Sequence, residues 1–151
     1  MFLSALVLVF LLACSPSQLP LPPGPPTATP TVEVVKGHHY LDVESVALYL
    51  HTFGSLPSNF LTKAEAERLG WVPSKGNLWV VAPGAAVGGD RFGNREGRLP
   101  AREGRQYYEC DVNFRGGFRG PERLVYSSDG LIFYTGNHYG SFELLYGKVG
   151  N

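Results

Sequence analysis

Three observations on this 151-residue chain predict an α+β domain, with N-terminal helices packed on a C-terminal antiparallel β-sheet. Helix caps and a helical apolar stripe fall between Asp42 and Gly70. From Tyr107 onward the pattern changes to two-residue alternation and hairpin signals. Helices followed by strands, rather than alternating with them, build two segregated layers and not a parallel sheet.

Taken in order, Asp42 is the N-cap of a helix with Val46, Leu50 and Phe53 on its apolar stripe, stopped by Gly54 and Pro57. Thr62 and Glu65 have capping-box spacing, and the short helix they open ends at Gly70. After Gly76, the glycines at 84, 88, 89, 93 and 97 space short segments as loops and turns do. Tyr107 to Val112 alternates, with Tyr108, Cys110 and Val112 on one face and Tyr107, Glu109 and Asp111 on the other. Arg123–Tyr126 and Leu131–Tyr134 flank the turn signal Ser127-Ser128-Asp129-Gly130, and Phe142–Tyr146 reads as a last strand.

The domain does not start at residue 1. Residues 1–31 carry no charged side chain, and seven of the 12 prolines lie between Pro16 and Pro30. Residues 15–31 therefore read as an extended, polyproline-like tether, leaving 32–151 as one domain large enough for its own core without zinc or disulfides. Phe2 to Ala13 is an apolar run too short for a comfortable membrane span and suited to the h-region of an export signal. It ends Leu11-Leu12-Ala13-Cys14, which resembles the lipobox of bacterial lipoproteins, although Met1 to Ser4 lack the usual Lys or Arg. Residues 1–14 are thus read as signal peptide and lipobox, with lipidation at Cys14, plain cleavage and an uncleaved anchor as the alternatives. The corresponding location is outside the cytoplasm, either free or tethered by lipid to a membrane. Cys110, on an inward strand face, reads as a small core hydrophobe rather than a nucleophile.

Thirteen bases balance 13 acids, so overall charge implies no polyanion partner. The balance is uneven: Arg91 to Arg123 holds eight arginines against five acids, interleaved with Phe92, Tyr107, Tyr108, Phe114 and Phe118. Such a stretch joins phosphate attraction to base stacking, and reads equally as a solvated face. Within it, Glu109 faces out of its strand. If the following strand pairs as a neighbour, it presents Arg123 on the same face, with Arg119 in the loop between. A carboxylate beside guanidinium groups stays ionised at neutral pH, as a general base must. His138, in Gly136-Asn137-His138-Tyr139-Gly140, lies near water and suits a general acid. Alone, each reads first as a structural ion pair or an ordinary loop histidine. Together they supply an acid, a base and cations, the parts of phosphodiester chemistry without a metal.

The segments Leu56-Pro57-Ser58-Asn59-Phe60-Leu61-Thr62-Lys63, Gly70-Trp71-Val72, Ser74-Lys75-Gly76-Asn77-Leu78, Val81-Ala82-Pro83-Gly84, Gly88-Gly89-Asp90, Asn94-Arg95-Glu96-Gly97 and Tyr126-Ser127-Ser128-Asp129 resemble, in order and spacing, the barnase/binase family of secreted bacterial guanyl-preferring ribonucleases. The match runs from about Leu41 to about Leu145 and does not include the leader. The resemblance implies the microbial ribonuclease fold and a cofactor-free, metal-independent endonuclease acting on single-stranded RNA after guanosine through a 2′,3′-cyclic phosphate. In that reading Glu109 matches the general base, His138 the acid, and Lys63, Arg119 and Arg123 the cations that stabilise the phosphoryl oxygens. Asn94, Arg95 and Glu96 match the guanine-recognition loop, with Phe92, His138 and Tyr139 as stacking or packing surfaces. Asp90 matches a residue that pairs with neighbouring cations and organises the site. Departures are Gly130, where well-known members carry tryptophan, and the added charge of Arg91 and Arg102. The resemblance also implies an acidic inhibitor protein of the barstar type. A monomer is expected. The rival readings are a non-catalytic surface module that binds RNA or nucleotides in the same cleft, and an antibacterial ribonuclease effector.

Overall fold

The computed structural model describes residues 31–150. The leader, the lipobox with Cys14 and nearly all of the tether lie outside the described residues.

Helix α1 runs Val43–Phe53. The Ser45 N–H donates to Asp42 Oδ1 over 2.8 Å, and Gly54, at φ +68°, closes the C-terminus by donating to the Leu50 carbonyl. Its buried side, Val46, Ala47 and Leu50, sits on the sheet. The expected capping box opens α2, Lys63–Arg68: Thr62 Oγ1 accepts from the Glu65 N–H, and Glu65 accepts from the Thr62 N–H. A 3-10 turn (Pro73–Lys75) and a one-turn helix α3 (Leu78–Val81) complete the helical half.

Six strands form one sheet in sequential order: β1 Phe60–Leu61, β2 Ala86–Phe92, β3 Tyr107–Asp111, β4 Arg123–Ser127, β5 Ile132–Thr135 and β6 Glu143–Tyr146. From β2 to β6 every pairing is antiparallel. The expected C-terminal antiparallel sheet is present, and the two-residue β1 adds a parallel pairing at the edge of β2. A correction concerns β2. The glycines at 88 and 89, read as loop spacing, lie inside its seven residues. A Cβ on Gly88 would come within 2.5 Å of the Cys110 Cβ and 2.7 Å of the Phe60 ring, so only glycine allows this close strand approach. At Gly89, φ +97°, the register slips by one residue, a bulge that re-aims the remainder of the strand. In this strand glycine marks close packing and a bend, the opposite of a loop.

Alternation in β3 to β5 divides apolar side chains between two cores. Cys110, Leu124 and Ile132 join Val46, Leu50, Trp71, Leu78 and Val87 between sheet and helices. On the opposite face, Tyr107, Val125 and Phe133 form a smaller cluster with Leu99 and Leu131. The β4–β5 turn is tied by Ser127, whose hydroxyl accepts from the Leu131 N–H and donates to Asp129, and by Arg105, whose guanidinium grips the same carboxylate. Arg105 first, then Ser127, pulls the Asp129 carboxyl down to about 2. On that second sheet face, beyond the small cluster, β3 places Glu109 and Asp111, both buried.

Candidate active site

Glu109 lies on the open face of β3, opposite Asp90 on one side and Val125 on the other. Its carboxylate is buried and doubly held: Lys63 Nζ donates to Oε1 over 2.9 Å, and the Tyr139 hydroxyl donates to Oε2. Burial pushes this carboxyl up. The Tyr139 hydroxyl, the Lys63 ammonium and the charge of Arg119 outweigh that push and leave it below the usual glutamate range. Glu109 is thus ionised at neutral pH, as a general base requires. Burial and the bond to Glu109 push the Tyr139 phenol up to about 12, so it remains a donor.

Lys63 starts α2, and its own N–H donates to Asp90 Oδ2 over 2.9 Å. Asp90 thereby anchors the backbone that carries Lys63. The expected pairing with neighbouring cations is not made: among the described residues no basic side chain lies within 4.0 Å of it.

The two arginines reach the open face as the strand pairing predicted, with Arg123 opposite Asp111 and Arg119 in the loop between β3 and β4. Their carboxylate partner is Asp111, not Glu109. Arg119 grips it with a fork, Nε to Oδ2 at 2.7 Å and Nη2 to Oδ1 at 2.6 Å. Arg123 Nε lies 2.9 Å from Oδ1 as an ion pair lacking hydrogen-bond direction, while its Nη1 donates to the Gly120 and Glu122 carbonyls. Asp111 is a positioning residue that the sequence reading did not single out. The signal was present, because the same alternation that put Glu109 on the open face put Asp111 beside it.

His138 lies in the β5–β6 loop, exposed as predicted, with its ring 4.8 Å from that of Tyr139. Its imidazole makes no hydrogen bond among the described residues, and its chain neighbour Tyr139 carries the hydroxyl on Glu109. Both residues take left-handed backbone angles, φ +54° and +69°. Such strain persists only where the surroundings enforce it. Here Thr135 Oγ1 accepts the Tyr139 N–H, and Arg98 donates to the Tyr139 carbonyl.

A pocket of about 210 Å³ opens at the end of β2, between Phe92, Asn94, Arg95, Glu96, Arg98 and Tyr139. Asn94, at φ +43°, holds its loop from within: its amide donates to the Leu99 carbonyl and accepts the Leu99 N–H. Among the described residues the N–H groups of Asn94 and Arg95 donate to nothing. The Phe92 and Tyr139 rings pack at 5.2 Å as an apolar wall. Glu96, 72% exposed, is paired at 2.8 Å with Arg98, a second residue the sequence reading passed over. The pocket and Glu109 share Tyr139, whose ring lines one while its hydroxyl bonds the other.

Cys110 points away from all of this, and burial pushes its thiol far up, so it stays protonated and inert. Among the described residues no His, Cys, Asp or Glu side chains group as metal ligands would.

The family model described as ribonuclease matches residues 44–146. The chain is 48% identical over 130 residues to a ribonuclease of Bacillus intermedius, covering 83% of this chain and 80% of that protein. A ribonuclease of Bacillus pumilus is 47% identical over the same shares. One of Heyndrickxia coagulans is 56% identical over 99 residues, 66% of this chain and 91% of that protein. The matched span takes in all six strands and with them Lys63, Glu109, Asp111, Arg119, Arg123 and His138, and on that similarity this chain belongs to the ribonuclease family.

Proposed function

We propose that this chain, an RNA-cleaving enzyme by its family, cuts single-stranded RNA after guanosine in two steps without a metal. The observation that carries the reading is the ionised, buried Glu109 carboxylate held between Lys63 and Tyr139, beside two fixed guanidinium groups and one residue from an exposed imidazole. Glu109 takes the proton of the ribose 2′-hydroxyl as its oxygen attacks the adjacent phosphorus. Protonated His138 gives its proton to the departing 5′-oxygen, leaving a 2′,3′-cyclic phosphate. Lys63, Arg119 and Arg123 stabilise the negative charge that grows on the phosphoryl oxygens. In the second step the roles reverse, and water opens the cyclic phosphate. DNA lacks the nucleophile and is not cut.

Guanine preference follows from complementary donors and acceptors. The Glu96 carboxylate accepts from guanine N1–H and the 2-amino group, once released from Arg98. The N–H groups near Asn94 and Arg95 donate to O6, and Phe92 and Tyr139 pack on the base. Adenine presents the wrong pattern. Four end-labelled oligoribonucleotides differing in one central base, treated in EDTA, test the whole reading. Cleavage after guanosine with a cyclic phosphate product is expected, and absence of cleavage by the folded protein favours a binding module. Glu96→Ala is expected to lose guanosine preference while folding normally; equal loss at all four bases removes it from recognition.

Residues 1–31 fit export, with the domain either freely released or lipid-tethered at Cys14. Metabolic labelling with palmitate, abolished by Cys14→Ser, tests the tether. The Arg-rich face suits an acidic inhibitor protein, and delivery to competitors as an antibacterial effector uses the same chemistry; killing assays separate that role from scavenging.

A further inference from the structure

The pocket at the end of β2 and the loop that carries His138 meet at one side chain. Arg98 spans them with a single guanidinium: its Nε lies 2.8 Å from Glu96 Oε2, and its Nη1 donates to the carbonyls of Tyr139 and Gly140. Glu96 belongs to the loop after β2 that lines the pocket, and Tyr139 and Gly140 to the β5–β6 loop. The root of Arg98 is fixed by its chain neighbour. Leu99 is buried in the smaller core, and the Asn94 amide clamps both of its backbone groups. Arginine suits this bridge because its planar fork reaches in two directions at once, whereas a lysine ammonium is one point charge.

The β5–β6 loop needs such a tie. Its turn closes on Asn137, whose side chain accepts the Ser141 N–H and donates to the Ser141 hydroxyl. His138 and Tyr139 stand between these ends in left-handed backbone. Among the described residues, two groups outside β5 and the loop hold its backbone: the Pro121 carbonyl, which accepts the His138 N–H at 3.2 Å, and Arg98 on the two carbonyls that follow His138.

The two engagements of Arg98 share one charge. Its ion pair with Glu96 is exposed, so releasing it costs little. A guanine that offers its N1–H and 2-amino group takes the Glu96 carboxylate away, and the guanidinium then acts undivided on the loop carbonyls. Adenine has an acceptor at N1 and no 2-amino group, so it leaves Glu96 with Arg98. We propose that Arg98 is a positioning residue that couples guanine recognition at Glu96 to the placement of His138. The inference rests on the reading under Proposed function, and it assigns part of the guanosine preference to kcat rather than to binding.

The test compares full-length wild type, Arg98→Ala and Arg98→Lys on the dinucleotides GpU and ApU. Arg98→Ala is expected to lower kcat on GpU by about tenfold, a coupling of ordinary size, and on ApU by much less. In calorimetry it should bind guanosine 3′-phosphate as tightly as wild type or more so, since Glu96 is then free. Arg98→Lys, which serves one partner at a time, should restore only part of the lost kcat. An unchanged kcat, an equal fall on both substrates, or weaker binding of guanosine 3′-phosphate overturns the proposal. Amide hydrogen exchange requires no turnover and separates this outcome from failure of the catalytic reading. In the wild type the amides of residues 138–141 should gain more protection from guanosine 3′-phosphate than from adenosine 3′-phosphate, and Arg98→Ala should abolish the difference. That pattern in a protein that does not cleave after guanosine keeps the coupling and sinks the catalytic reading. No difference in the wild type, or the same difference in Arg98→Ala, overturns the coupling.

Discussion

Glu109 and Cys110 are neighbours on one strand, both are buried, and the fold treats them in opposite ways. Burial raises the proton affinity of either acid, and for Cys110, among Leu124, Ile132 and the helices, the neighbouring Asp111 carboxylate adds to that rise, while the Leu124 backbone and the charge of Arg123 are too weak to reverse it. For Glu109, on the other face, a phenol, an ammonium and a nearby guanidinium reverse the sign and keep the carboxylate ionised. Removal from water therefore does not decide reactivity; the partners supplied on each face do. The two-residue period of the strand makes the separation possible, because adjacent side chains enter unrelated environments.

The largest test of this contrast is Glu109→Ala. On the proposed mechanism, loss of Glu109 is expected to lower transesterification by about 10² to 10⁴ while the fold persists. Stopped-flow cleavage of a guanosine-containing substrate, with circular dichroism as the folding control, measures it. A near-normal rate in folded protein removes Glu109 from the mechanism.

Asp111→Ala probes the same face two residues further along β3. Arg123 is almost fully buried and ion-pairs with Asp111 alone among the described residues. Deleting that partner leaves an uncompensated charge, a class of change that costs about 3–5 kcal/mol, and it frees the fork of Arg119 as well. Urea unfolding should show this as a lower midpoint, accompanied by reduced activity. A stability equal to that of wild type breaks the assignment of Asp111 as the anchor of both cations.

A smaller effect sharpens the comparison without disturbing the fold. Because the folded Glu109 carboxyl lies below its ordinary range, the stability it contributes is fully present above the unfolded glutamate value and is lost as pH falls through the lower folded value. The acid limb of kcat/KM should accordingly fall below the usual glutamate range. Tyr139→Phe removes the largest of the stabilising contacts but keeps the ring that lines the pocket, so the acid limb should move up with little change in substrate affinity. An unmoved limb would show that the hydroxyl does not tune the base.

Most of this site was legible in the sequence, and the exceptions share a cause. The caps at Asp42 and Thr62, the alternation that faces Glu109 outward and the β4–β5 turn are local features, set by residues a few positions apart. What was missed depends on partners distant in the chain. Gly88 looked like loop punctuation because its reason, the Cys110 side chain, lies 22 positions away. Asp111 was placed on the right face, but that it rather than Glu109 would take both arginines depends on the reach of a loop that no periodicity describes. Arg98 holds the Tyr139 carbonyl from 41 residues away.

The smallest expected effect belongs to the silent partner of the pair. Cys110→Ala trims one sulfur from a site where Gly88 already brings two strands together, leaving a small void between β2, β3 and α1. A cost of about 1 kcal/mol in urea unfolding is expected, with kcat/KM unchanged across the pH range. In the wild type the thiol should resist a thiol reagent until the protein unfolds, since it is both inaccessible and protonated. Loss of activity comparable to that of Glu109→Ala, in a folded Cys110→Ala protein, would dissolve the distinction between the two faces. Retention of activity leaves the chemistry of β3 wholly on its open side, with its covered side acting only through the packing that holds the strand in place.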